Sequence, residues 1–129
     1  MFHSVFAPLV ALTVLQVKHL ICDFFLQTSN QIENKGTYGH PGGLIHAGIH
    51  AVGTLPVFLV YPVSITVAVI ILVAEFLAHY HIDWLKNVIG AHFGWTTRDK
   101  QYWWAMGVDQ FLHQITYLVM VAVLMVLSL

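Results

Sequence analysis

Residues 63–87 read VSITVAVIILVAEFLAHYHIDWLKN. No glycine or proline interrupts them. So long an apolar run exceeds an ordinary strand and matches the ~20 residues with which a helix crosses a ~30 Å hydrocarbon core. Yet Glu75, His79, His81 and Asp83 fall inside it. An ionisable side chain within a bilayer costs several kcal/mol unless it is paired or solvated. The stretch therefore predicts a transmembrane helix whose polar residues face other protein. His79 and Asp83 are four residues apart and share one helix face.

Three further apolar stretches flank it: Val5 to Gln27, Leu44 to Val60 and Val108 to Leu129. With Val63 to Asn87 they predict an all-α, polytopic membrane protein. It is an antiparallel four-transmembrane-helix bundle forming one integral membrane domain over residues 1–129. The first connection holds Asn34, Lys35, Gly36, Gly39, Pro41, Gly42 and Gly43. Tyr61-Pro62 makes a tight second turn, with Pro62 suited to the first helical position. Gly90 and Gly94 are expected to stop the third helix. Between residues 88 and 107 stand Trp95, Tyr102, Trp103 and Trp104, an aromatic set typical of the membrane–water interface. A short interfacial helix is expected there before the last span, from Arg98 to Ala105. The first stretch lacks a basic leading segment and contains Lys18, His19 and Asp23, so it reads as a span rather than a cleaved signal.

Composition agrees. Of 129 residues, 58% are hydrophobic and 9% charged, where a globular chain has ~45–50% and ~25%. That little charge cannot cover a small soluble domain, and it excludes a disordered chain. Five Lys+Arg against six Asp+Glu leave no basic footprint for a nucleic-acid partner. The single Cys22 excludes a disulfide framework and a cysteine-based zinc knuckle. The nine histidines fit none of this and need a reason.

Each span carries one ionisable pair at i, i+4: His19/Asp23, His46/His50, His79/Asp83 and Asp109/His113. The first and third lie near the ends of their spans, the second and fourth near the beginnings. In an up-down bundle all eight residues therefore reach one depth. Imidazole and carboxylate are the ligands that zinc, manganese and ferrous iron accept, and bundle di-metal proteins use such inward pairs. His19, Asp23, His46, His50, His79, Asp83, Asp109 and His113 are thus candidate ligands for one or two divalent ions, zinc first, with manganese or iron as alternatives. A metal-free His–Asp network and haem ligation use the same residues, though haem gives no reason for three acids. Glu75, one turn deeper than His79, and Asp109 are candidate general bases. His81 lies about 200° around the helix from His79 and reads as interfacial. His3, His40 and His92 are assigned no role.

The basic residues Lys18, Lys35, Lys86, Arg98 and Lys100 all mark the side of the first and third connections. The positive-inside rule makes that side cytoplasmic and both termini external. Lys18, Asn34, Lys35 and Lys86 are expected at this rim, placed to bind an anionic headgroup or to snorkel. Gln27, Gln110 and Gln114 are candidates to orient ligands or substrate.

The run Lys18-His19-Leu20-Ile21-Cys22-Asp23-Phe24-Phe25-Leu26-Gln27 is followed by Asn34-Lys35, His46-xxx-His50, His79-xxx-Asp83-xx-Lys86 and Asp109-Gln110-xx-His113. Their order and spacing resemble the domain of unknown function 3307 family, small integral membrane proteins of bacteria and their phages. The resemblance covers nearly the whole chain. It implies a four-helix protein of the bacterial inner membrane, with no settled activity. By type of chemistry alone, the pattern is also similar to small membrane-bound metal-dependent hydrolases. The functional expectation is a metal-dependent hydrolase acting on a lipid or lipid-linked phosphate at the cytoplasmic interface. A non-haem di-iron membrane oxidoreductase, a metal-ion transporter and a structural membrane subunit are the alternatives. Membrane lipids are the expected partners, and so small a chain is compatible with a homo-oligomer.

Overall fold

The computed structural model describes residues 5–129, which contain helices and no strand. His3 lies outside the described residues. Four helical stretches are long and apolar enough to cross a membrane: Phe6–Phe25, Pro41–Val60, Ile65–Phe93 and Lys100–Leu127.

Helix α1 (Phe6–Leu20) runs without a break into a π-helical turn, Ile21–Phe25. The turn closes with Leu26 N–H donating to Ile21 O at 2.9 Å, one residue further back than an α-helix allows. Such wider turns often occur at functional sites, and this one contains Asp23. Helix α2 (Ser29–Asn34) follows, capped by the Thr28 hydroxyl, which accepts from Gln31 N–H. Helix α3 (Pro41–Gly53) begins with Pro41 in its first turn and His40 as cap, whose ring nitrogen accepts from Gly42 N–H at 3.0 Å. The second span then breaks at Thr54-Leu55-Pro56 and resumes as α4 (Val57–Val60). Pro56 has no N–H to continue the ladder. Thr54 and Leu55 instead close tighter turns onto Ala51 and Val52.

Helix α5 (Ile65–Phe93) starts at Ser64, whose hydroxyl accepts from Val67 N–H. Pro62 is therefore not the first helical residue. Gly90 lies inside the helix, and Gly94 ends it in the left-handed region at φ 66°, where glycine is at no steric disadvantage. Helix α6 (Lys100–Leu127) is one continuous rod. The separate interfacial helix expected at Arg98–Ala105 does not exist; Lys100 to Ala105 are the first turns of the last span. With no proline or stop at Gly107, nothing breaks the hydrogen-bond ladder between the aromatic segment and the apolar one.

Helix α1 packs against α3 and α6, and α5 against α3 and α6, so each long helix has two neighbours. The interior is divided by depth. Ala11, Leu15, Val57, Ile71, Tyr117, Met120, Val121 and Leu124 form a buried, mainly apolar core at one end. The ionisable residues fill the other end. Leucines, valines and isoleucines such as Leu59, Ile65, Ile70 and Val126 point outward, as a lipid-facing surface requires. Leu129 N–H donates to Pro62 O at 2.9 Å and fixes the end of α6 against the turn before α5.

Candidate metal centre

The i, i+4 spacing brings all eight candidate ligands to one level of the bundle. His46, His50, His79, Asp83, Asp109 and His113 are at most 5% exposed, as is His19. The Asp23 side chain, at 12%, is the most open. Donor atoms converge in two overlapping groups, Asp23–His46–His50–His79 and His79–Asp83–His113. Because His79 belongs to both, they are halves of one continuous centre.

His46 is informative. Its Nδ1 lies 3.3 Å from Gln31 Oε1, which accepts when the ring proton is on Nδ1. Nε2 then carries a lone pair, yet it stands 3.1 Å from Asp23 Oδ1 and 3.4 Å from Asp83 Oδ2. His79 Nε2 is 3.2 Å from the same Asp83 oxygen. His46 Nε2, His79 Nε2 and Asp83 Oδ2 are all buried without an aligned hydrogen bond among the described residues. Two donors held tetrahedrally by one zinc ion at ~2.0–2.1 Å lie ~3.3 Å apart. The separations at His46 and His79 match that edge. A proton on an imidazole or a cation between the groups relieves such contacts, and this donor set could hold a metal ion. The Gln31 contact is the outer hydrogen bond that metal-bound histidines usually make.

Asp23 gathers three rings. His50 Nε2 is bonded to its Oδ1 at 2.8 Å and His46 approaches the same oxygen. His19 Nε2 is 3.1 Å from Oδ2. His19 stands outside both donor groups. Its Nε2 also meets Gln110 Oε1 at 2.9 Å and its Nδ1 meets the Tyr117 hydroxyl at 2.9 Å. With both nitrogens engaged, it orients Asp23. Asp109 is also outside the groups: Oδ2 accepts from Gln110 Nε2 at 3.0 Å, while Oδ1 is unpartnered and 3.6 Å from His113 Nε2. His113 Nε2 bonds Asp83 Oδ1 at 3.1 Å. The rings of His50, His79 and His113 stack in sequence, with centroids 3.8 and 4.3 Å apart.

The family model described as "Protein of unknown function (DUF3307)" matches residues 11–129. The chain belongs to the DUF3307 family. No curated protein and no solved structure matches it. Membership in DUF3307 carries no activity, so chemistry in this DUF3307 chain rests on the geometry.

The other sequence candidates are distributed as follows. Lys35 Nζ lies 3.3 Å from Asp83 Oδ2, and Lys86 Nζ lies 3.6 Å from Asp109 Oδ2. Gln27 Nε2 donates to Asp23 O at 3.0 Å. The Asn34 side chain bonds back to Asn30, and Gln114 links to Gln16 on α1. Lys18 is not at the rim: it is 5% exposed and paired with Glu75 one turn deeper than the cluster. The physical reason is space and charge. A Cβ at Gly53 would meet Lys18 Cγ at 2.6 Å, so the glycine admits the lysine stem, and Glu75 supplies the counter-charge that hydrocarbon demands. Glu75 Oε2 also accepts from the Thr54 hydroxyl at 2.6 Å, and Lys18 Nζ sits 4.7 Å from the Tyr117 ring centroid. Both Glu75 oxygens are therefore engaged.

Sequence reasoning missed Gln31, Thr54, Tyr117 and Asn87, whose Nδ2 donates to Asp83 O at 2.7 Å. Three of them were reachable by extending the i+4 series: 46-50-54, 75-79-83-87 and 109-113-117. Gln31 had no such signal, because it lies on α2, in a stretch read as a connection.

Proposed function

We propose that this protein is an integral-membrane, metal-dependent hydrolase that acts on the phosphate of a lipid or lipid-linked substrate at the cytoplasmic face of the bacterial inner membrane. The observation that carries the reading is the convergence of His46 Nε2 and His79 Nε2, at 3.4 and 3.2 Å, on one buried oxygen, Asp83 Oδ2. Asp23, His50 and His113 complete the set, and zinc suits it best, being accepted by nitrogen and oxygen donors in a compact tetrahedral arrangement.

A divalent ion supplies water of lowered pKa at neutral pH and polarises a phosphoryl oxygen. The chain's residues do the remainder. Lys35 and Lys86 hold the phosphate oxygens, since each already reaches a carboxylate of the site. Asp109, with its unpartnered Oδ1, accepts a proton from the attacking water. The water oxygen forms a bond to phosphorus, the bond from phosphorus to the alcohol oxygen breaks, and the proton passes to that oxygen. The products are the free alcohol and phosphate. Lys35, Lys86, Arg98 and Lys100 orient this end toward the cytoplasm; Lys18, neutralised inside the bundle, adds nothing to that rule.

Elemental analysis and phosphate release test the reading together. Purified wild type in nanodiscs carries stoichiometric metal and releases phosphate from phosphate-ester lipids. His46→Ala loses both. Asp109→Ala keeps its metal and loses the activity. Wild type without bound metal, or with metal that His46→Ala retains in full, overturns it.

A further inference from the structure

Two cavities meet at Lys86. One is a cleft of about 620 Å³ among α2, α5 and α6, which Lys35, Asn87 and Tyr102 also line. The other is a groove of about 440 Å³ walled by Leu85 and Ile89 of α5 and by Trp104, Val108 and Leu112 of α6. At 100° per residue these two sets of side chains lie on opposite flanks of the α5–α6 seam. Lys86, Trp95 and Ala105 line both cavities. Ala105 keeps the seam open, since only a methyl group stands there.

The groove is bilayer surface. Ile89, Leu112, Leu85 and Val108 are 38–57% exposed, and all lie on membrane-spanning helices. A hollow that faces hydrocarbon is closed by a lipid chain, because an empty one forfeits dispersion contacts along its walls. From Ala105 to Leu112 the groove follows α6 for about 10 Å.

Lys86 sets this groove apart. Its side chain is 21% exposed and that of Asp109 only 2%, with Nζ 3.6 Å from Oδ2. A ligand therefore meets the ammonium rather than the carboxylate, while the methylene stem continues the apolar wall. A cavity of about 770 Å³ between α1 and α3 is apolar as well, but its lysine, Lys18, is buried and paired with Glu75. That cavity offers a headgroup no accessible charge. The α5–α6 groove offers one beside the metal centre, and a hydrocarbon wall ending at an ammonium fits an amphipathic anion.

We infer that the groove takes a hydrocarbon chain of the substrate, so that the substrate is a bilayer-resident lipid phosphate that enters sideways between α5 and α6. This rests on the phosphohydrolase reading and names its substrate class and route. The chain lies along Leu85, Val108 and Leu112, the phosphate stands at Lys86 in the seam beside Ala105, and the cleft on the other flank receives the released phosphate at Lys35.

Photolabelling in phosphatidylcholine nanodiscs tests it, with phosphatidic acid or phosphatidylcholine carrying a diazirine in one acyl chain at equal mole fraction. Phosphatidic acid is expected to label the peptides of Leu85 and Val108 about tenfold more than phosphatidylcholine, the scale of one charge-assisted hydrogen bond. The α1–α3 cavity is expected to show no such preference. Lys86→Gln abolishes the preference at the groove. Ile89→Phe combined with Val108→Phe fills the groove and abolishes it too; both positions are exposed, so the added rings displace lipid rather than protein. Phosphate release from phosphatidic acid and from glycerol 3-phosphate is measured on the same samples. The double variant loses about tenfold of the lipid rate and keeps the glycerol 3-phosphate rate. Equal labelling of the groove by the two lipids, the same preference at the α1–α3 cavity, or a ratio unmoved by both variants overturns the inference; the first two are read on wild type and need no variant to fold. Phosphate release without a preference at the groove sinks this inference alone, whereas a preference at the groove without phosphate release from either substrate sinks the hydrolase reading.

Discussion

The buried Lys18–Glu75 pair allows a sharp energetic test. Both side chains are at most 3% exposed, and both lie at the depth where the bundle turns apolar. Glu75→Gln leaves the lysine charge without its counter-ion, and Lys18→Met leaves the carboxylate. Breaking one side of a buried pair costs about 3–5 kcal/mol, whereas replacing both partners with apolar groups of similar volume is close to neutral. Thr54→Val removes two interhelical hydrogen bonds, one accepted from Lys18 Nζ at 3.2 Å and one donated to Glu75 Oε2 at 2.6 Å, for each of which about 0.6 kcal/mol is typical within membranes. The measurement is reversible unfolding by a denaturing detergent, followed by circular dichroism, on the single variants and on Lys18→Met with Glu75→Leu. Each single change in the pair should cost several times what Thr54→Val costs, and the double variant should recover most of the loss. Metal content of the double variant should equal wild type, because the pair lies a turn away from the donors. If the double variant loses the sum of the two singles, or if Glu75→Gln costs no more than Thr54→Val, the account of this pair is wrong.

Three other outcomes follow from the packing. Gln31→Leu frees the His46 ring and should weaken metal binding about 10–100-fold, read by competition with a chelator. Gly53→Ala should destabilise the fold, since its Cβ meets Lys18 Cγ at 2.6 Å, while Gly48→Ala, with nothing within 4 Å of its Cβ, should gain up to about 1 kcal/mol from helix propensity; a detergent-unfolding series that ranks the two the other way refutes this. His19→Phe should retain metal stoichiometry and loosen affinity, because His19 orients Asp23 without joining either donor group; complete metal loss would make it a ligand.

The spans and the paired donors were legible because both depend on short-range periodicity. Hydrophobic length set the four helices, and the i+4 spacing put two ionisable groups on one face of each. Their common depth followed from alternating direction. Lys18 was misplaced because counting basic residues treats each as an exposed charge, and only the facing helices reveal Glu75 and the space at Gly53. Helix ends were harder. Gly90 carries the same local signal as Gly94, but only Gly94 takes a positive φ. The break at Pro56 falls inside an apolar run and left no trace in hydropathy. Gln31 escaped because α2 is too short and polar for periodicity to register.

The donors are distributed over the chain in an order that matters for biogenesis. Asp23 is on the first span, His46 and His50 on the second, His79 and Asp83 on the third, and His113 on the fourth. Three inserted spans suffice for the Asp23–His46–His50–His79 group, and only the fourth completes the second. On the metal-binding reading proposed above, a nascent chain would therefore complete one donor group before synthesis ends, and the last helix would add the second. On the same reading, metal supply during insertion would bear on assembly as much as supply to the finished protein.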